Sequence, residues 1–118
     1  MGVIFHIVES GKWPANSYEP SSLEKDGFVH CSTGEQLVGT ANRLFSGQGD
    51  LLVLVIDSQR LKAKVVFEAA PDGSGEFPHV YGPISRRAVV GVYGLPAGDD
   101  GGYDVSALDP DLRAMLGK

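Results

Sequence analysis

The chain has a single cysteine, Cys31, among its 118 residues. No intramolecular disulfide can form, and the fold must be held by its core alone, as suits a reducing compartment. It lacks positive charge as well: 10 Lys and Arg stand against 15 Asp and Glu, a formal net charge of −5. That balance excludes the global positive field that drives non-specific nucleic-acid binding. Short basic groups at Arg60, Lys62 and Lys64 and at Arg86 and Arg87 read as solvated surface charge. The longest apolar run, Leu51 to Ile56, falls well short of a membrane span. The start, Met1 to Val8, has no basic region of a secretory signal and runs directly into Glu9 and Ser10. A cytoplasmic protein with no membrane partner is expected.

What is present suits one domain: 42% hydrophobic and 21% charged residues over a length that supports one core. Residues 1–118 are read as a single domain. The β-branched and aromatic run Val3 to Val8 predicts a buried strand, with Ile4, His6 and Val8 on one face and Val3, Phe5 and Ile7 on the other. Glu9 to Lys25, with Trp13, Pro14, Tyr18 and Pro20, is more irregular and is given short helical turns. Phe28 to Cys31 reads as a short strand. Ser32-Thr33-Gly34-Glu35 has the form of a capping box, Ser-x-x-Glu, and Leu37, Val38, Ala41, Leu44 and Phe45 follow at helical spacing. This spacing predicts the principal helix, capped by Ser32 and ending near Gly47.

Further strands are expected at Leu51 to Ile56, Ala63 to Glu68, His79 to Tyr81 and Ala88 to Tyr93, with a single turn at Ser58 to Leu61. Residues 96–109, rich in Gly and Asp, are expected to form a mobile loop. Residues 110–117 are expected to form a terminal helix, with Asp109 as cap and Pro110 at its first position. Strands are too frequent for a regular βαβ alternation, so the fold class is α+β, with a mixed, mostly antiparallel sheet and one principal helix.

All three histidines lie in apolar, strand-like contexts: His6, His30 and His79. One such residue alone is an ordinary core histidine; three whose faces align would line a cleft with groups that titrate near neutral pH. His30 also precedes the expected helix mouth, where unpaired N–H groups and the dipole attract an anion, and Ser32 and Thr33 would contribute there. Cys31 points away from His30 across the strand and reads as a buried, inert thiol. Trp13, Tyr18 and Tyr81 have the size and polar edge to stack on a ligand ring, or to pack in the core or rim. Glu68 ends an apolar strand, either at the solvent edge or in a cleft. No histidine pair has the spacing of a recognised zinc motif, so no metal ligands are assigned; a histidine-zinc hydrolase using the three histidines with Glu68 is the remaining metal alternative.

The succession Ile4-Phe5-His6-Ile7, Trp13, Tyr18, Ser21 to Leu23, Gly27-Phe28-Val29-His30-Cys31-Ser32, Gln36, Ala41-Asn42, Asp50-Leu51, Ile56-Asp57, Glu68 and Phe77-Pro78-His79-Val80-Tyr81-Gly82-Pro83 resembles the bacterial domain-of-unknown-function family 952. That family is similar in fold to the ADP-ribosyltransferase group, which clamps NAD in the cleft of a split sheet. The resemblance implies such a split sheet here, NAD or a related nucleotide as ligand, and a site built on His6 and His30. In it, His6 holds a ribose hydroxyl, His30 contacts the nicotinamide side or a phosphate, and Glu68, with His79 competing for the role, stabilises developing positive charge. No clear catalytic glutamate motif accompanies it. A non-catalytic module for a small anionic metabolite or a peptide therefore stays open beside the enzyme.

Overall fold

The structure is a computed structural model, and it describes residues 2–9, 17–18 (main chain only) and 25–116. Trp13 and the expected turns between Glu9 and Lys25 lie outside the described residues apart from Ser17 and Tyr18. The elements are β1 (Val3–Glu9), β2 (Ser17–Tyr18), β3 (Val29–His30), α1 (Leu37–Phe45), β4 (Leu51–Asp57), β5 (Lys64–Ala69), β6 (Glu76–Tyr81), β7 (Ile84–Ser85), β8 (Val89–Leu95) and α2 (Pro110–Met115). Single 3-10 turns lie at Ser58–Arg60, Arg86–Ala88 and Val105–Ala107. The fold is α+β, and every described strand pairing is antiparallel.

Two three-stranded sheets, ordered β1-β4-β8 and β3-β6-β5, carry most of the architecture, and β2 and β7 form a small pair of their own. The larger sheets meet at one seam. There the N–H of Phe5 donates to the carbonyl of Ser32 at 2.8 Å, and the N–H of Ser32 donates back to Phe5 at 2.7 Å. Alternation along β1 and β4 then divides the interior into two layers. Phe5, Ile7, Leu51, Val53 and Val55 face α1 and α2 through Leu37, Ala41 and Leu112. Ile4, Val8, Leu54 and Ile56 share a second cluster with Val29, Val80 and Val65 of the other sheet. β4 is the central strand of its sheet and buried on both faces, which is why its sequence is a continuous apolar run rather than an alternating one.

The start of α1 corrects the expected cap. Helical structure begins at Leu37, the flanking residue is Gln36, and Ser32 is not the cap. Ser32 is buried, paired to β1, and its hydroxyl donates to Oγ1 of Thr40 at 3.1 Å. The reciprocal bond of a capping box is present one residue later: Oε1 of Gln36 accepts from the N–H of Thr33 at 2.9 Å. Thr33-x-x-Gln36 fits the same pattern as Ser32-x-x-Glu35, and the seam decides between them by engaging the main chain of Ser32 in the bridge. At the other end of the chain, Asp109 accepts from the N–H of Asp111 with Pro110 in the first turn of α2.

β6 is twice as long as expected. Pro78 sits inside it, and its carbonyl accepts from Cys31 N–H at 3.1 Å. The segment expected to be a mobile loop, 96–109, is tied to α1: Asn42 donates to the carbonyl of Tyr103 and accepts from its N–H, and the Tyr103 hydroxyl donates to the carbonyls of Phe45 and Gly49. The radius of gyration is 13.3 Å. Among the described residues, no helix is long and apolar enough to cross a membrane.

Candidate functional site

The outer face of the β3-β6-β5 sheet gathers the polar and aromatic groups. Cross-strand partners His30↔His79, Val66↔His79, Glu68↔Phe77 and Lys64↔Tyr81 fix which side chains share it. Val29, Val65 and Val80 face the interior, so the alternating side chains His30, His79, Tyr81 and Glu68 emerge on the opposite side.

Glu68 is the hub of this face. Its Oε1 accepts from Nδ1 of His79 at 2.7 Å and from the Tyr81 hydroxyl at 2.5 Å. Both donors favour the carboxylate, the tyrosine more than the histidine, and hold the Glu68 carboxyl below its ordinary range; the same bond pushes the Tyr81 phenol up. The second oxygen, Oε2, takes no hydrogen bond from the described residues. His79 is largely buried because Phe28 covers it: the two rings stack at 3.9 Å and 16°. Phe28 also lies 4.7 Å from His30 and 5.4 Å from Tyr81, ring centre to ring centre.

His30 is the exposed member, with 52% of its side chain open to solvent, and its Nε2 pairs with Asp26 Oδ2 at 3.0 Å. Its ring centre is 5.5 Å from that of His79, at 73°. Two imidazoles, each backed by a carboxylate, therefore stand side by side on one face.

The third histidine is elsewhere. His6 lies on the inner side of β1, buried, and its Nδ1 donates to the main-chain carbonyl of His30 at 2.6 Å. Burial outweighs that hydrogen bond and lowers its pKa to about 4, so His6 is neutral across the physiological range. It supports β3 from beneath, and the histidine pair on the open face is His30 with His79. Among the described residues no set of three His, Cys, Asp or Glu groups is arranged to hold a metal ion. The three-histidine arrangement for zinc is thus not formed by this geometry.

Ser32 and Thr33 are engaged at the seam and the turn before α1, as described above. Of Tyr18 the structure describes only the main chain, paired with Ile84. Cys31 is buried, and burial pushes its thiol far above its usual range, which removes it as a nucleophile at neutral pH. Two members of the cluster escaped the sequence reading as site residues. Phe28 looked like one more apolar strand residue. Asp26 could have been found, since it stands four residues before His30.

The family and the fold are matched in known proteins. The chain belongs to the family described as "Protein of unknown function (DUF952)", which it matches over residues 7–92. Among solved structures it is similar to protein CC0527 from Caulobacter crescentus. The crystal structure of that protein is 30% identical, with a TM-score of 0.79, over 95% of this chain and 98% of that one. Its solution structure is 31% identical, with a TM-score of 0.75, over 90% of this chain and 95% of that one. No curated protein matches the chain.

Proposed function

We propose that this chain is an ADP-ribosyltransferase-like domain that takes NAD or a related nucleotide on the open face of β3-β6-β5, with Glu68 as its working carboxylate. The observation that carries this reading is the bonding of Glu68: both donors converge on Oε1, the group is kept ionised, and Oε2 is left for a ligand. Phe28 and Tyr81 add an aromatic wall that suits a planar ring.

In this reading the C1′–N glycosidic bond of NAD breaks and its electron pair goes to the nicotinamide nitrogen, which cancels the charge of the pyridinium. Positive charge develops on the ribose, and the Glu68 carboxylate stabilises it. Nicotinamide leaves as the neutral molecule, and a water or acceptor hydroxyl adds to C1′ and gives its proton to solvent. His30, at the solvent edge, contacts the nicotinamide side or a phosphate. His6 serves as a positioning residue, through the main chain of β3, rather than as a group that touches the ribose.

The test is a titration of the ¹⁵N-labelled chain with NAD and with ADP-ribose. Saturable shifts at Phe28, His30, His79 and Tyr81 are expected, weakened in His30→Ala. Absence of any shift at millimolar nucleotide overturns the reading. The aromatic wall would also serve a binding module that performs no chemistry, and Glu68→Gln separates the two: an enzyme loses NAD turnover, whereas a module keeps its affinity.

A further inference from the structure

Each histidine on the open face spends one ring nitrogen on a carboxylate. Nε2 of His30 is held by Asp26 at 3.0 Å, and Nδ1 of His79 is held by Glu68 at 2.7 Å. In the neutral ring the nitrogen facing the carboxylate carries the proton, so the other carries a lone pair. Nδ1 of His30 and Nε2 of His79 are those lone-pair nitrogens, and neither takes a hydrogen bond from the described residues. A carboxylate behind an imidazole is the usual support of a metal-ligating histidine, since it fixes the tautomer and raises the basicity of the ligating nitrogen.

The spacing agrees with that use. A zinc ion lies ~2 Å from an imidazole nitrogen, hence roughly 3.2 Å from the ring centre, and tetrahedral placement of two rings separates their centres by roughly 5 Å. The ring centres of His30 and His79 are 5.5 Å apart and steeply inclined. Local composition favours a cation, because a carboxylate side chain, Asp26 or Glu68, stands behind each ring. The basic groups nearby are Lys64, opposite Tyr81 on the edge strand, and Arg43, which lies over Phe77 and pairs with Asp72 at 3.6 Å. Lys64 is the one that opposes the cation. Phe28 shields one side of His79, which holds its ring in place.

We propose that His30 and His79 form a two-imidazole site for a divalent transition metal such as zinc, with Asp26 and Glu68 orienting the rings and solvent or a ligand completing the coordination. Imidazole nitrogen selects zinc, copper or nickel over magnesium and calcium, which prefer oxygen. The site differs from a three-histidine centre in leaving His6 out. It is independent of the nucleotide reading, because it is tested with metal alone.

The experiment is calorimetric titration of the untagged 118-residue chain with ZnCl2 at neutral pH, repeated with NiCl2 and MgCl2. One zinc per chain is expected, with no heat from magnesium. His30→Ala and His79→Ala should each weaken zinc binding at least ten-fold, and Asp26→Asn and Glu68→Gln by about ten-fold or more. His30 is exposed and Glu68→Gln is isosteric, so these two variants keep the test valid if His79→Ala fails to fold. Histidine ¹⁵N spectra should show Nε2 of His79 and Nδ1 of His30 as the shifted nitrogens. No zinc binding up to millimolar concentration overturns the proposal, and so does zinc binding that His30→Ala and Glu68→Gln leave unchanged. Zinc binding without any nucleotide shift would retain this site while removing the proposed function, and the reverse result would do the opposite.

Discussion

His6 donates its Nδ1 proton to the carbonyl of His30 across the seam, at 2.6 Å, from a buried position. Protonating His6 means charging a buried ring, so its pKa falls to about 4 from an unfolded value near 6.5. Between those values the unfolded chain binds a proton that the folded chain refuses. Stability is therefore full above pH 6.5 and is lost as pH falls toward 4, by on the order of 3 kcal/mol in total. Urea denaturation at pH 7, 5.5 and 4.5 measures this loss. In His6→Asn, which keeps an N–H for the carbonyl but cannot charge, the fall over that interval should be smaller by about the same amount. An acid limb identical in the two proteins would remove His6 as its origin.

The turn before α1 assigns different tasks to Ser32 and Gln36. Gln36 accepts from Thr33 N–H and donates from Nε2 to the carbonyl of Glu76 at 2.6 Å, so one side chain fastens the helix start to β6. Gln36→Ala removes both bonds and should cost about 1–2 kcal/mol, read from denaturant midpoints. Ser32→Ala removes a buried hydroxyl bond to Thr40 and should cost about 1 kcal/mol without fraying the helix start. Amide exchange at Thr33 separates the cases: it should accelerate in Gln36→Ala and stay protected in Ser32→Ala.

These two residues mark how far the sequence could be read. The existence of α1 and of the strands β1, β4, β5 and β8 followed from hydrophobic periodicity, because a half-buried helix and a buried strand impose different spacings on apolar residues. The choice between Ser32 and Gln36 depended on the pairing of Phe5 with Ser32, 27 positions apart in the chain, which no local pattern encodes. The full length of β6 was hidden for a related reason. Pro78 argues against a central strand, yet it lacks only a donor, and its carbonyl still bonds to Cys31. The histidines were legible as a set, but which two share a face was not: the pairing of β3 with β6 puts His30 and His79 on one face, whereas the ring of His6 meets the main chain of His30 across the seam.

The Tyr81 hydroxyl is the larger of the two influences that keep the Glu68 carboxyl below its ordinary range, ahead of His79. Tyr81→Phe removes it and leaves the ring. The titration of Glu68, followed by carboxyl ¹³C shifts, should move upward in Tyr81→Phe and again in the double variant with His79→Asn. A carboxyl whose titration is unmoved by Tyr81→Phe would mean that the phenol does not donate to it in solution. Because the folded value is depressed, the contribution of this bonding is present at neutral pH and is lost as pH falls through the titration of Glu68.

Gly34 sits in the turn between the seam and α1, directly against the end of the chain's last helix. A Cβ built on it would lie 2.0 Å from the carbonyl oxygen of Leu116 and 2.6 Å from its carbon, both main-chain atoms that cannot rotate away. Gly34→Ala must therefore displace either the turn or the segment that follows α2. The turn is held by the Thr33–Gln36 bond and by the seam beside it, whereas α2 is two turns long and buries Leu112 as its anchor. The weaker partner should yield. Gly34→Ala is expected to cost about 1–3 kcal/mol, the usual range for inserting a methyl where none fits. Limited proteolysis should show cleavage near Arg113 that the parent chain resists, with the spectra of Phe28, His30 and His79 unchanged. If instead those site resonances shift and the last helix stays protected, the turn has moved, and the seam is the softer of the two.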